Sequence, residues 1–453
     1  MNTQLQMIDH KTADQAKDLP KSIAEDEFLT LQDMLTFKRD AAQRRLKQVL
    51  MEINELIREH KWEDAAALCH PVDEKFPELA AYELDVPLRE KAGFVLGQLK
   101  RFDEAIKELN LCIQKDPENF MLHNSIAYTA YNSLYAAKNR EIFLSGKIKE
   151  ERIRLAHRHF EQAQRLRPGG VTNFYRQGML YKQLEDKVEK ALPLFKQAVA
   201  NWDKLDHAAK EDRHQERKNF IKALYQLSSA LLKRDRSREA LQSIKRCLAE
   251  DEKTNYMSLL YKYFALGKIN FHQGLFTQAK DALLFALQCD ACQPRDFVYE
   301  LLAKTYLALG NPPRAMEVIQ KVSEKKRRPY YRWTEADVWC AAGNLQKAKK
   351  VLADCQEKDT RSRHKALIRL AKIEYLLQNF QASLKYSEEA SRFFTEKWGN
   401  VYDDGLFWQS LNSFRLDRHD RSLDLAQELK DLNPRYAGLN LLLEKLGEKI
   451  IDS

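Results

Sequence analysis

Cys289 and Cys292, separated by two residues, are the one pair in the chain whose type and spacing could bind a metal or exchange a disulfide. Thiolates so spaced can give two of the four ligands of a tetrahedral zinc, or a redox couple at the start of a helix in a βαβ unit. A zinc site needs a second pair, and no other CxxC or suitably spaced His/Cys pair occurs. The redox reading needs strands, so both residues read as ordinary cysteines at a helix end. His123, His272 and His364 stand without a nucleophile and carboxylate at motif spacing, and there is no Gly-rich phosphate loop, paired-histidine signature, nucleophile elbow or kinase motif. These residues predict no catalysis, no cofactor and no metal. The densest basic run, Glu324 to Arg328 before Pro329, falls between helical segments and reads as a solvated loop, with a phosphate contact or an address signal as the alternative.

The composition says what kind of scaffold would carry any binding surface. Over 453 residues, 44% are hydrophobic and 31% charged, with only 14 Gly and 12 Pro, a balance that favours helices almost throughout. No apolar run approaches the roughly 20 residues of a membrane span. The first residues lack a basic segment followed by an apolar one, so the expected location is cytoplasmic. Of seven cysteines, Cys69, Cys112, Cys247 and Cys355 fall where a small apolar residue would pack, which suits reduced thiols. The formal charge of +9 permits an acidic partner, peptide or nucleic acid, without requiring one.

One two-helix unit recurs. Its clearest copy is RFDEAIKELNLCIQKDPEN from Arg101, with Ala105, Leu109, Cys112 and Pro117 at its marker positions and Gly93 and Leu96 on the helix before it. The small marker returns at Ala65, Ala105, Ala156, Ala191, Ala240, Ala279, Ala315 and Ala348, and as serine at Ser383 and Ser422. Intervals run from 33 (Ala315 to Ala348) to 51 (Ala105 to Ala156). Four places after the marker comes a bulky residue: Leu109, Phe160, Phe195, Ile244, Leu283, Ile319 and Leu352, replaced by Cys69, Ser387 and Ala426 elsewhere. Twelve or thirteen places before it stands another small residue (Gly93, Gly178, Ser228, Gly267, Ala303, Ala336, Ala371, Ser410), where two helices would cross closely. Gly274, Gly310 and Gly343 mark turns five places before their alanines.

This pattern resembles the tetratricopeptide repeat. The resemblance implies an all-α, TPR-like α-solenoid: a right-handed superhelix of about ten helical hairpins with N- and C-terminal capping helices. Residues 1–22 read as a flexible tail and 23–435 as the array, with insertions near 131–155 and 203–220. Residues 436–453 read as an amphipathic capping helix built on Leu439, Leu442 and Leu446, and Phe28, Leu31 and Leu35 suggest a cap on the first repeat.

In that family the first helix of each hairpin lines a concave groove that holds ligands. Carried over by register, the groove takes Asn124 and Tyr128; Tyr175, Arg176 and Met179; Lys222, Tyr225 and Gln226; Tyr261, Phe264 and Lys268; Glu300 and Lys304; Trp333 and Asp337; and Arg369 and Lys372. It would be aromatic and net basic, suited to a protein segment or helix bearing acidic residues. The family's clamp for an acidic C-terminal carboxylate does not transfer: Lys222 matches one position, but Tyr128, Arg176 and Gln226 stand where Asn, Asn and Arg would be expected. The chain therefore reads as a non-enzymatic scaffold or adaptor for a protein or peptide partner, with an accessory subunit of a larger complex as one version of that reading. The alternatives are RNA or single-stranded nucleic acid in a basic groove, or a peptide-responsive regulator.

Overall fold

A computed structural model of the chain describes residues 21–289 and 295–451, with side chains described over 32–289 and 295–447. The described residues contain helices and no strand. The chain divides into two compact units at Leu227/Ser228.

Unit 1 begins with α1 (Lys21–Arg58), followed by α2 (Trp62–Cys69) and the short α3 (Val72–Lys75) and α4 (Pro77–Ala81). Hairpins then follow: α5 (Val86–Gln98) with α6 (Phe102–Lys115), α7 (Phe120–Lys138) with α8 (Gly146–Leu166), and α9 (Thr172–Met179) with α10 (Val188–Asp203). After α11 (His207–Asp212), the division between units falls within α12 (His214–Lys233). Unit 2 holds α13 (Ser237–Glu250), then α14 (Leu259–His272) with α15 (Phe276–Gln288), and α16 (Asp296–Ala308) with α17 (Pro312–Ile319). It continues as α18 (Pro329–Ala341) with α19 (Leu345–Lys358), α20 (Arg363–Leu376) with α21 (Phe380–Trp398), α22 (Asp403–Arg415) with α23 (His419–Leu432), and α24 (Leu439–Ile451). In each unit helices pack on their chain neighbours, the arrangement of a TPR-like α-solenoid.

The repeat pattern is a packing rule. All ten marker residues, from Ala65 to Ser422, have no solvent exposure. A Cβ on Gly93 would lie 2.8 Å from Leu109 Cγ, and one on Gly267 would lie 2.7 Å from Leu283 Cγ, so the early glycine makes room for the bulky residue of the second helix. Where serine replaces the alanine, its hydroxyl is satisfied across the crossing: Ser383 Oγ donates to Ala371 O at 2.7 Å, and Ser422 Oγ to Ser410 O at 2.8 Å. Turns close with a left-handed residue five places before the marker, supplied by Gly274, Gly310 and Gly343 and elsewhere by His60, Lys100, Asp186, Asp235, Gln378 and Asp417.

One hairpin departs from the rule in a way the sequence had marked. Gly178 precedes its alanine by thirteen places where every other small residue does so by twelve. The extra residue is absorbed in a π-helical turn, Leu180–Leu184, after which Lys187 N–H reaches back to Tyr181 O at 2.9 Å. Thus a Cβ on Gly178 still meets the bulky residue, Phe195, at 2.6 Å.

The ends differ from one another. Leu439, Leu442 and Leu446 of α24 pack on Leu406, Ala426 and Leu429. On α1 the packed stripe is Ala42, Leu46, Val49 and Ile53, whereas Leu35 is exposed, so the contact begins about two turns after Leu35. Phe28 and Leu31 lie outside the residues whose side chains are described, and residues 1–20 of the expected tail lie outside the described residues.

Candidate binding faces

In unit 1, hydrogen bonds fix the levels of three first helices. Asn219 Nδ2 donates to Thr172 Oγ1 at 2.9 Å and Lys182 Nζ to Gln226 Oε1 at 2.7 Å, so α9 and α12 run side by side in the same direction. Arg176 Nη1 donates to Asn124 Oδ1 at 3.2 Å and Tyr131 OH to Gln183 Oε1 at 3.2 Å, which does the same for α7 and α9. Between these rungs Arg176 stands level with Lys222.

Arg176 is the centre of this face. Its guanidinium lies 3.6 Å from the centroid of the Tyr128 ring, close enough for a strong cation–π contact. Its polar partner is neutral, and among the described residues no carboxylate lies within ion-pair distance of it. Burial pulls its basicity below the ordinary arginine value, and the oxygens of Tyr128, Tyr175 and Tyr131 oppose that shift. Lys222 is likewise held below the usual lysine value, first by burial and then by the like charges of Lys218 and Arg176. Two cations thus stand level on adjacent first helices, neither with a carboxylate partner among the described residues, a costly arrangement that marks a candidate site. Tyr128, Tyr131 and Tyr135 form a row beside them, with successive ring centroids 6.2 Å apart and nearly parallel. Tyr175 is half-buried against Phe195 at 6.3 Å, Met179 is buried, and Tyr225 is half-buried on α12.

Register alone missed Tyr131, Tyr135 and Gln183. The tyrosines recur at helical spacing, but inside a stretch that reads as an insertion. Gln183 arrives through the π-helical turn, whose signal was the thirteen-residue offset.

Unit 2 presents the matching register on α14, α16, α18 and α20. Here two of the cations are answered. Lys304 Nζ lies 2.5 Å from Glu300 Oε1, and that carboxylate also accepts from Thr334 Oγ1 at 2.7 Å. Arg369 lies over Trp333 at 5.7 Å and grips Asp337 through Nε at 3.0 Å and Nη2 at 3.1 Å. Lys268 is lowered by desolvation and by Lys233 and Lys304, with Glu300 opposing, and Lys372 is exposed. Tyr261 stacks on Phe297 at 5.9 Å, and Phe264 meets the same ring edge-on at 4.6 Å. The face is aromatic as expected, but its Glu300 and Asp337 neutralise two of its four predicted cations.

The remaining sequence candidates are drawn into structure. Cys289 Sγ donates to Phe285 O at 3.3 Å, Cys292 lies outside the described residues, and among the described residues no cluster of His, Cys, Asp or Glu is placed to hold a metal. Cys69, Cys112, Cys247 and Cys355 are buried and not joined in disulfides. His123 Nε2 donates to Pro117 O and its Nδ1 accepts from His159 Nδ1, each at 2.9 Å. Burial, with His123 and Arg158 nearby, lowers His159 to about 4. His364 is enclosed by Phe393, Phe394, Trp398 and Tyr402, with ring centroids 5.0 to 6.0 Å away, and burial likewise lowers it to about 4. His272 sits 3.4 Å from Asp235 at the surface. Within the basic run, Arg327 is buried on Glu335 at 2.7 Å and Val322 O at 2.8 Å, while Lys325 and Lys326 are exposed.

No protein-family model matches the chain, and no curated protein matches it. Among solved structures the chain is similar to a tetratricopeptide repeat protein from Parabacteroides merdae ATCC 43184, at 14% identity and a TM-score of 0.43 over 64% of this chain and 98% of that one. It is also similar to yeast Tom70, at 12% identity and a TM-score of 0.40 over 90% of this chain and 96% of that one. Among the described residues no helix is long and apolar enough to cross a membrane.

Proposed function

We propose that this chain is a non-enzymatic protein-interaction scaffold that holds an anionic segment of a protein partner on the α7, α9 and α12 face of unit 1. The observation that carries the reading is Arg176, stacked on Tyr128, bonded to Asn124 and left without a carboxylate. A bound anion would supply the missing charge, and the adjoining tyrosines offer contact area at low entropy cost. Capture of partners from the native source by the wild-type chain and by the Arg176→Glu/Lys222→Glu double variant tests it, with Lys268→Glu/Lys304→Glu as the comparison in unit 2. The first pair of changes is expected to abolish capture. If the captured proteins are the same with and without it, the face is assigned wrongly.

The tyrosine row gives a second reading, RNA or single-stranded nucleic acid, some support, because parallel rings beside cations can stack bases. That reading requires binding to mixed RNA that falls steeply as salt is raised.

A further inference from the structure

The unit 1 face carries more positive charge at one point than a single carboxylate can answer. Arg176 and Lys222 are level with each other, as the flanking Thr172–Asn219 and Lys182–Gln226 bonds require. Lys218 lies one turn before Lys222 on α12 and adds to the same positive field. The neighbours that orient Arg176 are an amide and an aromatic ring, and among the described residues neither Arg176 nor Lys222 has a carboxylate partner.

We infer that the group received by Arg176 and Lys222 is a phosphomonoester, so that the partner binds through a phosphorylated residue. This rests on the function proposed above and names its ligand more narrowly. A phosphomonoester carries about −1.5 to −2 at pH 7 and three strong acceptor oxygens, whereas a carboxylate carries one charge. Two uncompensated cations match the former. Arg176 is also prepared for the role, because one edge of its guanidinium is occupied by Asn124 while the ring beneath fixes its plane, leaving further N–H donors for a bidentate contact.

A chain of phosphates fits less well than one. The cations gather at a single level, and Glu216 lies six residues before Lys222 on the same helix, about 9 Å along its axis. Arg167 and Arg213, each 3.3 Å away, already hold that carboxylate. Those two arginines are therefore committed, so a second phosphate toward the start of α12 would have to displace the Glu216 carboxylate, and a single phosphate need not.

The probe is an immobilised peptide library with random flanks around a fixed phosphoserine, compared with the same library fixed as glutamate or serine and with poly(U) RNA. The expected result is retention at least tenfold stronger on phosphoserine than on glutamate, lost in Arg176→Gln/Lys222→Gln with a melting temperature no lower than that of the wild type. In Arg176→Lys, which keeps the charge and loses the fork, the preference for phosphoserine should shrink. Glutamate retained as well as phosphoserine overturns the phosphate assignment and leaves the scaffold reading in place. No retention on any peptide overturns both. Retention unaffected by the double variant places the site elsewhere, and tighter binding of poly(U) replaces the protein ligand with nucleic acid.

Discussion

The faces of the two units are built around the same device and finish it differently. In unit 1, Arg176 stands two places before its hairpin's small residue, lies over Tyr128 and reaches Asn124 of the preceding first helix. In unit 2, Arg369 occupies the same register, lies over Trp333 and reaches Asp337 of the preceding first helix. An arginine, a ring and a short polar side chain recur, and the difference comes down to an amide in one and a carboxylate in the other. Paired with Asp337, the guanidinium of Arg369 is spent on holding its own neighbours together. Opposite Asn124, the guanidinium of Arg176 keeps a charge that no carboxylate among the described residues answers. Register decides where the cation stands, and the neighbour's chemistry decides whether it is available.

The largest effect on this contrast comes from breaking the scaffold beneath one face at a time. Gly178→Val would drive its branched side chain into Phe195, and Gly267→Val would do so into Leu283. Overpacking of that kind costs about 3 kcal/mol. Denaturant unfolding should register both losses, but only the unit 1 variant should lose ligand at temperatures where both remain folded. Equal loss of ligand from the two variants would mean that binding needs both units.

Acid provides a second separation. His159 in unit 1 and His364 in unit 2 are each lowered by burial to about 4, against about 6.5 in the unfolded chain. Between those values the unfolded state binds the extra proton, so stability is whole above about pH 6.5 and falls as the pH drops toward 4, by about 3 kcal/mol for each histidine. His364 Nδ1 has no partner inside its ring of aromatics, so His364→Phe forfeits no hydrogen bond there. That variant should keep unit 2 stable through the acid window, leaving the unit 1 loss as the remaining transition in a pH-resolved melting series. An unchanged acid profile would show that other groups govern both units.

How much of this could be read from the sequence follows from the range of the interactions involved. Hairpin packing is local and periodic: Ala105 and Leu109 share a helix, Gly93 is twelve residues from Ala105, and each position repeats, so register names it. Even the π-helical turn left a trace, in the single thirteen-residue offset before Ala191. Pairing across hairpins leaves none. Asn124 meets Arg176 over 52 residues and Asp337 meets Arg369 over 32, and the pattern that puts all four on the inner register cannot say which touch. The expected groove is net basic, and register could not say that in unit 2 two of its cations are held by its own Glu300 and Asp337. Tyr131 and Tyr135 were overlooked because a long interval suggested an insertion, when the same residues continue the face of α7.

The finest test exchanges the two finishing residues. Asn124→Asp gives Arg176 the carboxylate it lacks at a site where an amide oxygen already lies 3.2 Å away, so no rearrangement is needed to form the pair. A charge-assisted hydrogen bond in place of a neutral one should add about 1 kcal/mol to unit 1 and weaken phosphoserine retention at least tenfold. Asp337→Asn makes the reverse change. The Asp337 side chain is 37% exposed and that of Arg369 26%, so solvent screens the pair and the loss should be no more than about 1 kcal/mol. Freed in this way, Arg369 should begin to retain phosphoserine peptides weakly, because Lys372 lies one turn further along the same helix. Guanidinium chloride titrations and the peptide columns read both outcomes. A unit 1 that gains stability and keeps its full ligand affinity would show that the absent counter-charge at Arg176 has nothing to do with binding, and the contrast between the faces would be one of sequence drift.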